Sequence, residues 1–342
     1  MNRRQFLHTL NANGMGAIML PLIGDSAVVE ETGIEWNTPK IGIVSVGGIG
    51  GSCLPTSGDR VRSLPHLNRT VAVSTCGAEL YGINADRKVL VGDTKTLVNP
   101  RTAGLLTQSA VPDIAEAVAG LDMVLLVAGM GGATGTGIAP SVAQLLREQG
   151  ILTLAFAVMP FAGEGGQRKQ VAQAGVRELR LHVNALIPFF NNDIDPDAKS
   201  VRWQSAAARQ APVAFMEVCR SILNPLCRPG WVNIDFEDLR NTILNQQGDC
   251  AFGFGFASGA DGAAAAATRA IDHPLLGRGR LQQASAVLMA ISAPPHVLML
   301  RDSYNAVRTV RKQLPPNAYV IYGAYSDQTL GNDIAVSILA NG

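Results

Sequence analysis

Residues 129–137 read Gly-Met-Gly-Gly-Ala-Thr-Gly-Thr-Gly, and no other stretch restricts the fold of this 342-residue chain as tightly. The apolar run before them, residues 121–128, has the length and β-branched content of a buried strand. Residues 138–149 follow as a helix that Gly150 ends. The unit is therefore strand, glycine loop, helix. Five glycines in nine residues let the backbone approach a ligand closely and leave N–H groups free. Those donors, with the positive end of the helix behind them, suit a phosphate. Thr134 and Thr136 add hydroxyl donors. No Gly-Lys-Ser/Thr follows, so the loop is not a Walker A motif, and its glycine spacing also misses the dinucleotide fingerprint. Taken alone, the nine residues leave open a glycine-rich turn that binds nothing.

The rest of the chain repeats the alternation. Strands are expected at residues 41–46, 70–74, 88–91, 121–128, 151–158 and 185–190, with helices between several of them, including 167–183. Such alternation predicts a doubly wound α/β fold with a parallel sheet. A second glycine cluster, Gly47, Gly48, Gly50 and Gly51, follows the first strand. Residues 197–227 read as a long linking helix interrupted by Pro212 and Pro225, each of which should kink it. Beyond 249 the sequence becomes rich in Gly and Ala, then offers strand-like runs at 284–291, 296–300, 318–322 and 334–339, a second, smaller α/β domain with a mixed sheet. The predicted organisation is an extension over 1–38, a nucleotide-binding domain over 39–196, a central linking helix over 197–228 and a C-terminal domain over 229–342.

Composition removes several classes of function. A hydrophobic share of 47% with 16% charged residues is globular, and a net charge of +1 gives no electrostatic case for nucleic acid. The five cysteines are scattered and form no Cys-x-x-Cys pair, which points to reduced thiols rather than a disulfide framework or a zinc site. The N-terminus is less plain. Residues 2–7, Asn-Arg-Arg-Gln-Phe-Leu, resemble a twin-arginine export motif, and residues 14–24 are an apolar run too short to span a bilayer. Three readings stand: an extension packed on the body or a neighbouring subunit, an anchor at the membrane surface with Arg3 and Arg4 near anionic lipid, and an export signal.

The nine-residue loop closely resembles the signature loop of the tubulin and FtsZ superfamily, in its bacterial FtsZ form. The resemblance covers nearly everything from Lys40 to Gly342. It implies a GTPase with GTP or GDP and Mg²⁺ as cofactors. It places the nucleotide on Gly47, Gly48, Gly50, Gly51, Gly129, Gly131, Gly132, Ala133, Thr134, Gly135, Thr136 and Gly137. Residues 160–168, Pro-Phe-Ala-Gly-Glu-Gly-Gly-Gln-Arg, look like the family loop in which Glu164 would reach the ribose and Arg168 the nucleotide. Read without the family, that pair is an ordinary surface ion pair. Residues 228–239 contain Asn-Ile-Asp-Phe-Glu-Asp, similar to the family's synergy loop. The resemblance makes Asn233, Asp235 and Asp238 catalytic, acting on the nucleotide of the next subunit by positioning and polarising water. Alone, Asp235 would be read as a helix cap. Residues 270–276 and Asn332-Asp333 also match family patterns in the second domain.

The departures gather around the base and the outer phosphate loops. Ile49 stands where the family has glycine, Ser52 where an Asn follows, and Ser74-Thr75-Cys76 where it has Asn-Thr-Asp. Residues 93–103 lack the usual glycine-rich run, with Lys95 or Arg101 as substitute charge. Ala208 and Val213 replace the guanine-stacking Phe and guanine-pairing Asp. Losing polar partners for a base edge weakens selectivity, so guanine preference should be reduced.

The resemblance implies a cytoskeletal hydrolase: a head-to-tail homopolymer that hydrolyses GTP at the subunit interface, cytoplasmic or held at the membrane surface by its N-terminal segment. Two alternatives are an FtsZ-like scaffold that binds nucleotide poorly without turnover, and a non-polymerising nucleotide-dependent regulator. No linker and tail peptide follows the last strand, which points away from the role of main division protein.

Overall fold

The parallel strands predicted from the alternation form one side of an eleven-stranded sheet. The computed structural model describes residues 38–54, 64, 66–92, 99–190, 203–228, 230–241, 248–297 and 299–342. The N-terminal extension, Lys95 and most of the outer phosphate loop lie outside these residues. In chain order the first elements are β1 (Ile41–Val46), α1 (Gly47–Ser52), β2 (Leu67–Ser74), α2 (Gly77–Gly82) and β3 (Arg87–Leu90). Then come α3 (Pro100–Val118), β4 (Met123–Gly129), α4 (Ala133–Glu148), β5 (Leu152–Met159), α5 (Gly166–Arg180) and β6 (Ala185–Phe190). The long helix α6 (Trp203–Cys227) leads to β7 (Gly230–Val232) and α7 (Phe236–Leu239). The remainder is β8 (Gly248–Ser258), α8 (Gly262–Ile271), α9 (Arg278–Leu281), β9 (Ala286–Ala293), α10 (Leu300–Arg311), β10 (Tyr319–Ser326) and β11 (Asp333–Asn341).

The strand order is β3-β2-β1-β4-β5-β6-β8-β11-β9-β10-β7. The first six strands are parallel throughout. β6 meets β8 through only two register pairs, and beyond that seam the sheet is mixed. Register aligns the carboxyl ends of the parallel strands: Val46 lies beside Val73 and Ala128, and Gly129 beside Val158. The loops that follow β1, β2, β4 and β5 therefore gather along one edge, where open parallel sheets place their ligands.

Burial follows from this arrangement. β1, β5 and β9 are buried at every position, as strands covered on both faces should be. α6 lies on one face of the sheet, with Phe215, Cys219, Ile222 and Leu223 in a single core that runs from Ile41 to Leu339. It joins by packing as well as by linking. Pro212 and Pro225 fall inside this helix without ending it, whereas the sequence predicts an interruption. The core contact of the residues between them, each apolar side chain contributing ~1.5–3 kcal/mol, offsets the lost backbone bonds.

Two further expectations are corrected. Residues 296–300 are not a strand: 295–297 turn and Leu300 opens α10. Its exposed Leu300 and Tyr304 alternate with buried Ser303 and Ala306 at helical spacing, which a five-residue apolar window could not reveal. α4 begins at Ala133 rather than 138, so the second half of the glycine stretch is the first turn of the helix.

Candidate functional site

The glycines of the nine-residue stretch divide by what surrounds them. Gly131 has φ +95°, and a Cβ there would lie 2.8 Å from Arg168 Cγ. Gly132 opens onto space, with nothing within 4 Å of a built Cβ. These two turn the chain out of β4 and leave one side unobstructed. Gly135 and Gly137 serve packing instead. A Cβ on Gly135 would stand 2.0 Å from the carbonyl oxygen of Gly129, and one on Gly137 would stand 2.1 Å from that of Pro100. Without side chains at these positions α4 can lie against the end of β4 and against α3.

The N-terminus of α4 is unsatisfied. Gly132 is its N-cap and supplies no side-chain bond, and no acidic residue occupies the first turn. The neighbouring helix α3 differs: Asn99 caps it, accepting from the Thr102 N–H at 2.9 Å. The N–H groups that open α4 thus lack a side-chain cap, and Ala133, the first of them, lines a cleft of about 390 Å³ with Asn99, Pro100, Gly131, Gly132, Glu164, Gln167, Arg168 and Val171. Free donors at a helix start, beside the positive end of the dipole, form an anion site.

The two threonines do different work. Thr134 meets Thr75 hydroxyl to hydroxyl at 2.7 Å, joining the turn after β2 to the first turn of α4. Thr136 is buried, and its hydroxyl accepts from the Gly131 N–H at 2.8 Å. Its methyl fills the space that Gly175 of α5 leaves, where a Cβ would be 2.4 Å away. The sequence suggests Thr136 as a donor to the ligand; in the fold it braces the loop from behind.

Glu164 and Arg168 both line the cleft and pair with each other at 2.8 Å. Glu164 also accepts from the Phe161 N–H at 3.0 Å. The ion pair expected from the sequence is present, and it sits on the wall of the cleft.

Gly47, with φ +73°, touches Thr134, so the first glycine cluster adjoins the signature stretch. The cluster is helical, forming α1, rather than an open loop. Gly50 and Gly51 are packing glycines, held against the Val127 carbonyl and the Ile83 side chain. Ile49 is 42% exposed and lies over Gly129. Ser52 donates to the Ile49 carbonyl at 2.8 Å. Val213 is 48% exposed on α6, and the Ala208 side chain lies outside the described ones. Sequence reasoning missed Glu79. Its carboxylate accepts from Ser74 Oγ at 2.7 Å and stands beside Gly48. It missed Asn99, Gln167 and Val171 as well. Gln167 sits in the 160–168 stretch, directly before Arg168, whereas Glu79, Asn99 and Val171 belong to no glycine-rich motif, and the gathering of the strand ends brings Asn99, Gln167 and Val171 to the cleft.

Asn233, Asp235 and Asp238 lie elsewhere. Asp235 caps α7, accepting from the Glu237 N–H at 3.1 Å, and Asn233 Oδ1 accepts from the Gly230 N–H at 2.7 Å. Asp235, Glu237 and Asp238 are exposed. The helix cap that the sequence allows is formed, and the acidic face remains open to solvent. The segment follows Arg228, which lies near enough to His66 to lower its pKa, behind the larger effect of burial. His66 precedes β2, whereas Thr75, bonded to Thr134, follows it. Eight residues of strand separate them, about 25 Å at ~3.3 Å per residue. In the strand order β7, which leads into the acidic segment, lies six strands from β5, which leads to Glu164, so the two sites fall in different parts of the sheet. Among the described residues no group of three or more His, Cys, Asp and Glu could hold a metal ion.

Fold and site define an α/β nucleotide-binding protein with an anion cradle at a helix start and a remote acidic loop. The chain belongs to the tubulin/FtsZ family. The model for the "Tubulin/FtsZ family, GTPase domain" matches residues 40–196, and that for the "FtsZ family, C-terminal domain" matches residues 248–342. The cell division protein FtsZ of Buchnera aphidicola is 34% identical over 323 residues, covering 90% of this chain and 80% of the relative. That of Caulobacter vibrioides is 32% identical over 309 residues, covering 89% of this chain and 60% of the relative, so the chain spans well under two thirds of that protein. An empty FtsZ dimer from M. jannaschii superposes with a TM-score of 0.80 at 28% identity, covering 90% and 89% of the two chains. CetZ2 from Haloferax volcanii, a GTPγS-bound protofilament, gives 0.72 at 20% identity, covering 89% and 93%, a likeness of fold.

Proposed function

We infer that this chain is a GTP-binding cytoskeletal protein that polymerises head to tail and hydrolyses GTP between subunits. The observation that supports the reading is the strand order, in which β7, leading into the acidic segment, lies six strands from β5, leading to the cleft. A cradle and a catalytic loop separated along the sheet in this way are brought together by a second molecule stacked on the first. Such a contact is heterologous and open, and it generates filaments.

In this reading the N–H groups of Ala133, Thr134 and Gly135 hold phosphate oxygens, and Glu164 and Arg168 flank the sugar. Asp235 and Asp238 of the adjoining subunit orient the attacking water, with Asn233 holding the turn. Phosphoryl transfer depends on such positioning and on neutralised charge more than on covalent chemistry. Mg²⁺ fits the donor set only through the nucleotide. Glu164, the one carboxylate lining the cleft among the described residues, is already paired with Arg168, so phosphate oxygens and water would supply the metal's ligands. When bound, the ion neutralises phosphate charge. Ile49 and Val213 offer the base no polar edge, so discrimination between GTP and ATP should be weak.

The test is phosphate release from GTP and from ATP with Mg²⁺ across a range of protein concentrations, with sedimentation in parallel. Release per subunit that rises with concentration is expected. Asp235→Ala should abolish release and leave nucleotide binding intact. Filaments without release would replace this reading by a scaffold that does not turn over.

A further inference from the structure

The cleft at the start of α4 suits phosphate and, through Glu164 and Arg168, offers a wall beside the sugar. Neither feature holds a base. The direction in which a base would lie follows from the sheet. The cradle opens α4, which follows β4, and Glu164 follows β5. β6 is the next strand in the order. With about 4.8 Å between neighbouring strands, β4 and β6 stand ~10 Å apart, the reach of a nucleotide from its phosphate to its base. A ligand with phosphate at β4 and sugar at β5 thus sets its base over the carboxyl end of β6.

β6 ends in two phenylalanines with opposite surroundings. Phe189 is fully buried, and its ring packs on Phe156 of β5 with centroids 5.2 Å apart. Phe156 packs in turn on Phe215 of α6 at 5.5 Å, so this stack fastens β6 to the helix. Successive side chains of a strand point to opposite faces, and Phe190 therefore turns away from the stack. It shares the face on which Leu186 joins the core formed with α4 and α5, and it pairs with Met159, the last residue of β5. Residues 185–189 are buried, whereas Phe190 is 38% exposed. The other five parallel strands of this half end in Val46, Ser74, Leu90, Gly129 and Met159. Among the described residues Phe190 is thus the one aromatic ring at a carboxyl end of these strands.

α6 offers a base no such surface. It carries Ala208 and Val213, and Val213, two residues before Phe215, is exposed without a ring. A purine is a broad π-surface, and an exposed phenylalanine stacks on it without reading the groups along its edge.

We propose that Phe190 is the base platform of this chain: its ring stacks on the purine of a bound nucleoside triphosphate, so that the site takes guanine and adenine alike. The inference rests on the nucleotide-binding part of the function proposed above and is independent of hydrolysis and assembly.

The test is equilibrium titration of the full chain and its Phe190 variants with GTP, ATP and inorganic tripolyphosphate, each with Mg²⁺. Tripolyphosphate brings the charge without a base. Phe190→Ala should weaken GTP and ATP by about tenfold each, the size of one lost base–aromatic stack, and leave tripolyphosphate affinity unchanged. Phe190→Leu keeps the apolar bulk without the π-face; it should show the same split, and it takes the place of the alanine variant should that one fold poorly. Phe190→Tyr should retain the parental affinities. Unchanged nucleotide affinity in the leucine variant overturns the proposal. So does a loss that tripolyphosphate shares, which would make Phe190 a support of the cradle, and so does a loss confined to one of the two nucleotides. A parent that binds tripolyphosphate as tightly as GTP has a cradle and no base platform. A parent that binds none of the three overturns the nucleotide reading itself.

Discussion

Thr75 and Thr134 share a hydrogen bond of 2.7 Å between residues 59 positions apart, and it ties the turn after β2 to the first turn of α4. Thr134 also follows directly on Ala133, which lines the cleft, in the first turn of α4. The bond thus holds the donors that a phosphate would use. Thr75→Val removes the partner and keeps the shape. Nucleotide affinity should fall about three- to tenfold, corresponding to ~1 kcal/mol for one hydrogen bond, with little change in thermal stability. Equilibrium titration with GTP and GDP measures it; unaltered affinity would remove Thr75 from the site.

Gly135 and Gly132 make a matched pair of substitutions. A methyl on Gly135 collides with the Gly129 carbonyl, a backbone atom that cannot swing aside, whereas a methyl on Gly132 meets nothing within 4 Å. Gly135→Ala should lower stability by about 2–4 kcal/mol through overpacking and displacement of α4 from β4. Gly132→Ala should change stability by less than about 1 kcal/mol and act on ligand binding alone. Urea denaturation of the two variants separates packing glycine from ligand-facing glycine. Equal losses would contradict that division.

His273 sets a pH dependence. Burial pushes its pKa down from 6.5 to about 4, its ring stacks on Phe254 with centroids 4.4 Å apart, and Nδ1 accepts from the Leu275 N–H at 3.3 Å. The folded state therefore favours the neutral ring. Above the unfolded value both states are neutral and this residue imposes no penalty. As pH falls from about 6.5 toward about 4 the unfolded chain takes up a proton that the folded chain resists, and stability declines. Denaturation midpoints measured across that window should drop, and His273→Gln should flatten the slope.

Thiol labelling should single out one cysteine of five. Cys53, Cys219, Cys227 and Cys250 are buried, and Cys76 is partly exposed at the start of α2. Burial raises the Cys53 and Cys250 thiols to about 12 and that of Cys227 to about 11, which keeps them protonated at neutral pH. A thiol reagent should modify about one site per chain in the native protein and all five after denaturation, read by mass spectrometry. Bound nucleotide should slow the reaction at Cys76, which follows Thr75 directly. Native labelling at Cys219 would place that helix face in solvent.

Much of this was legible in the residues themselves. The strand–glycine–helix unit, the parallel alternation and the cap at Asp235 are local patterns. Each depends on spacing and on the backbone freedom or bonding capacity of residues a few positions apart. Regions 296–300 and 133–137 misled for the same reason. A short apolar run has no unique period, and glycine and threonine are poor helix formers that packing overrides. The identity of the cleft's walls was less accessible. Glu79, Asn99 and Val171 carry no motif, and Thr136 looks like a ligand donor until its hydroxyl is found bonded to the Gly131 N–H.

By itself the sequence determined the class of fold, the strand–glycine–helix unit and the cap at Asp235, because turn chemistry and hydrophobic period act over short distances along the chain. Only the tertiary structure decided which glycines pack closely and which open onto space, and that Thr136 braces the loop from behind. It alone placed the acidic segment after β7, the edge strand, away from the loops that follow β4 and β5. Those relations join residues tens of positions apart, and strand order and register, which no local pattern encodes, bring them together.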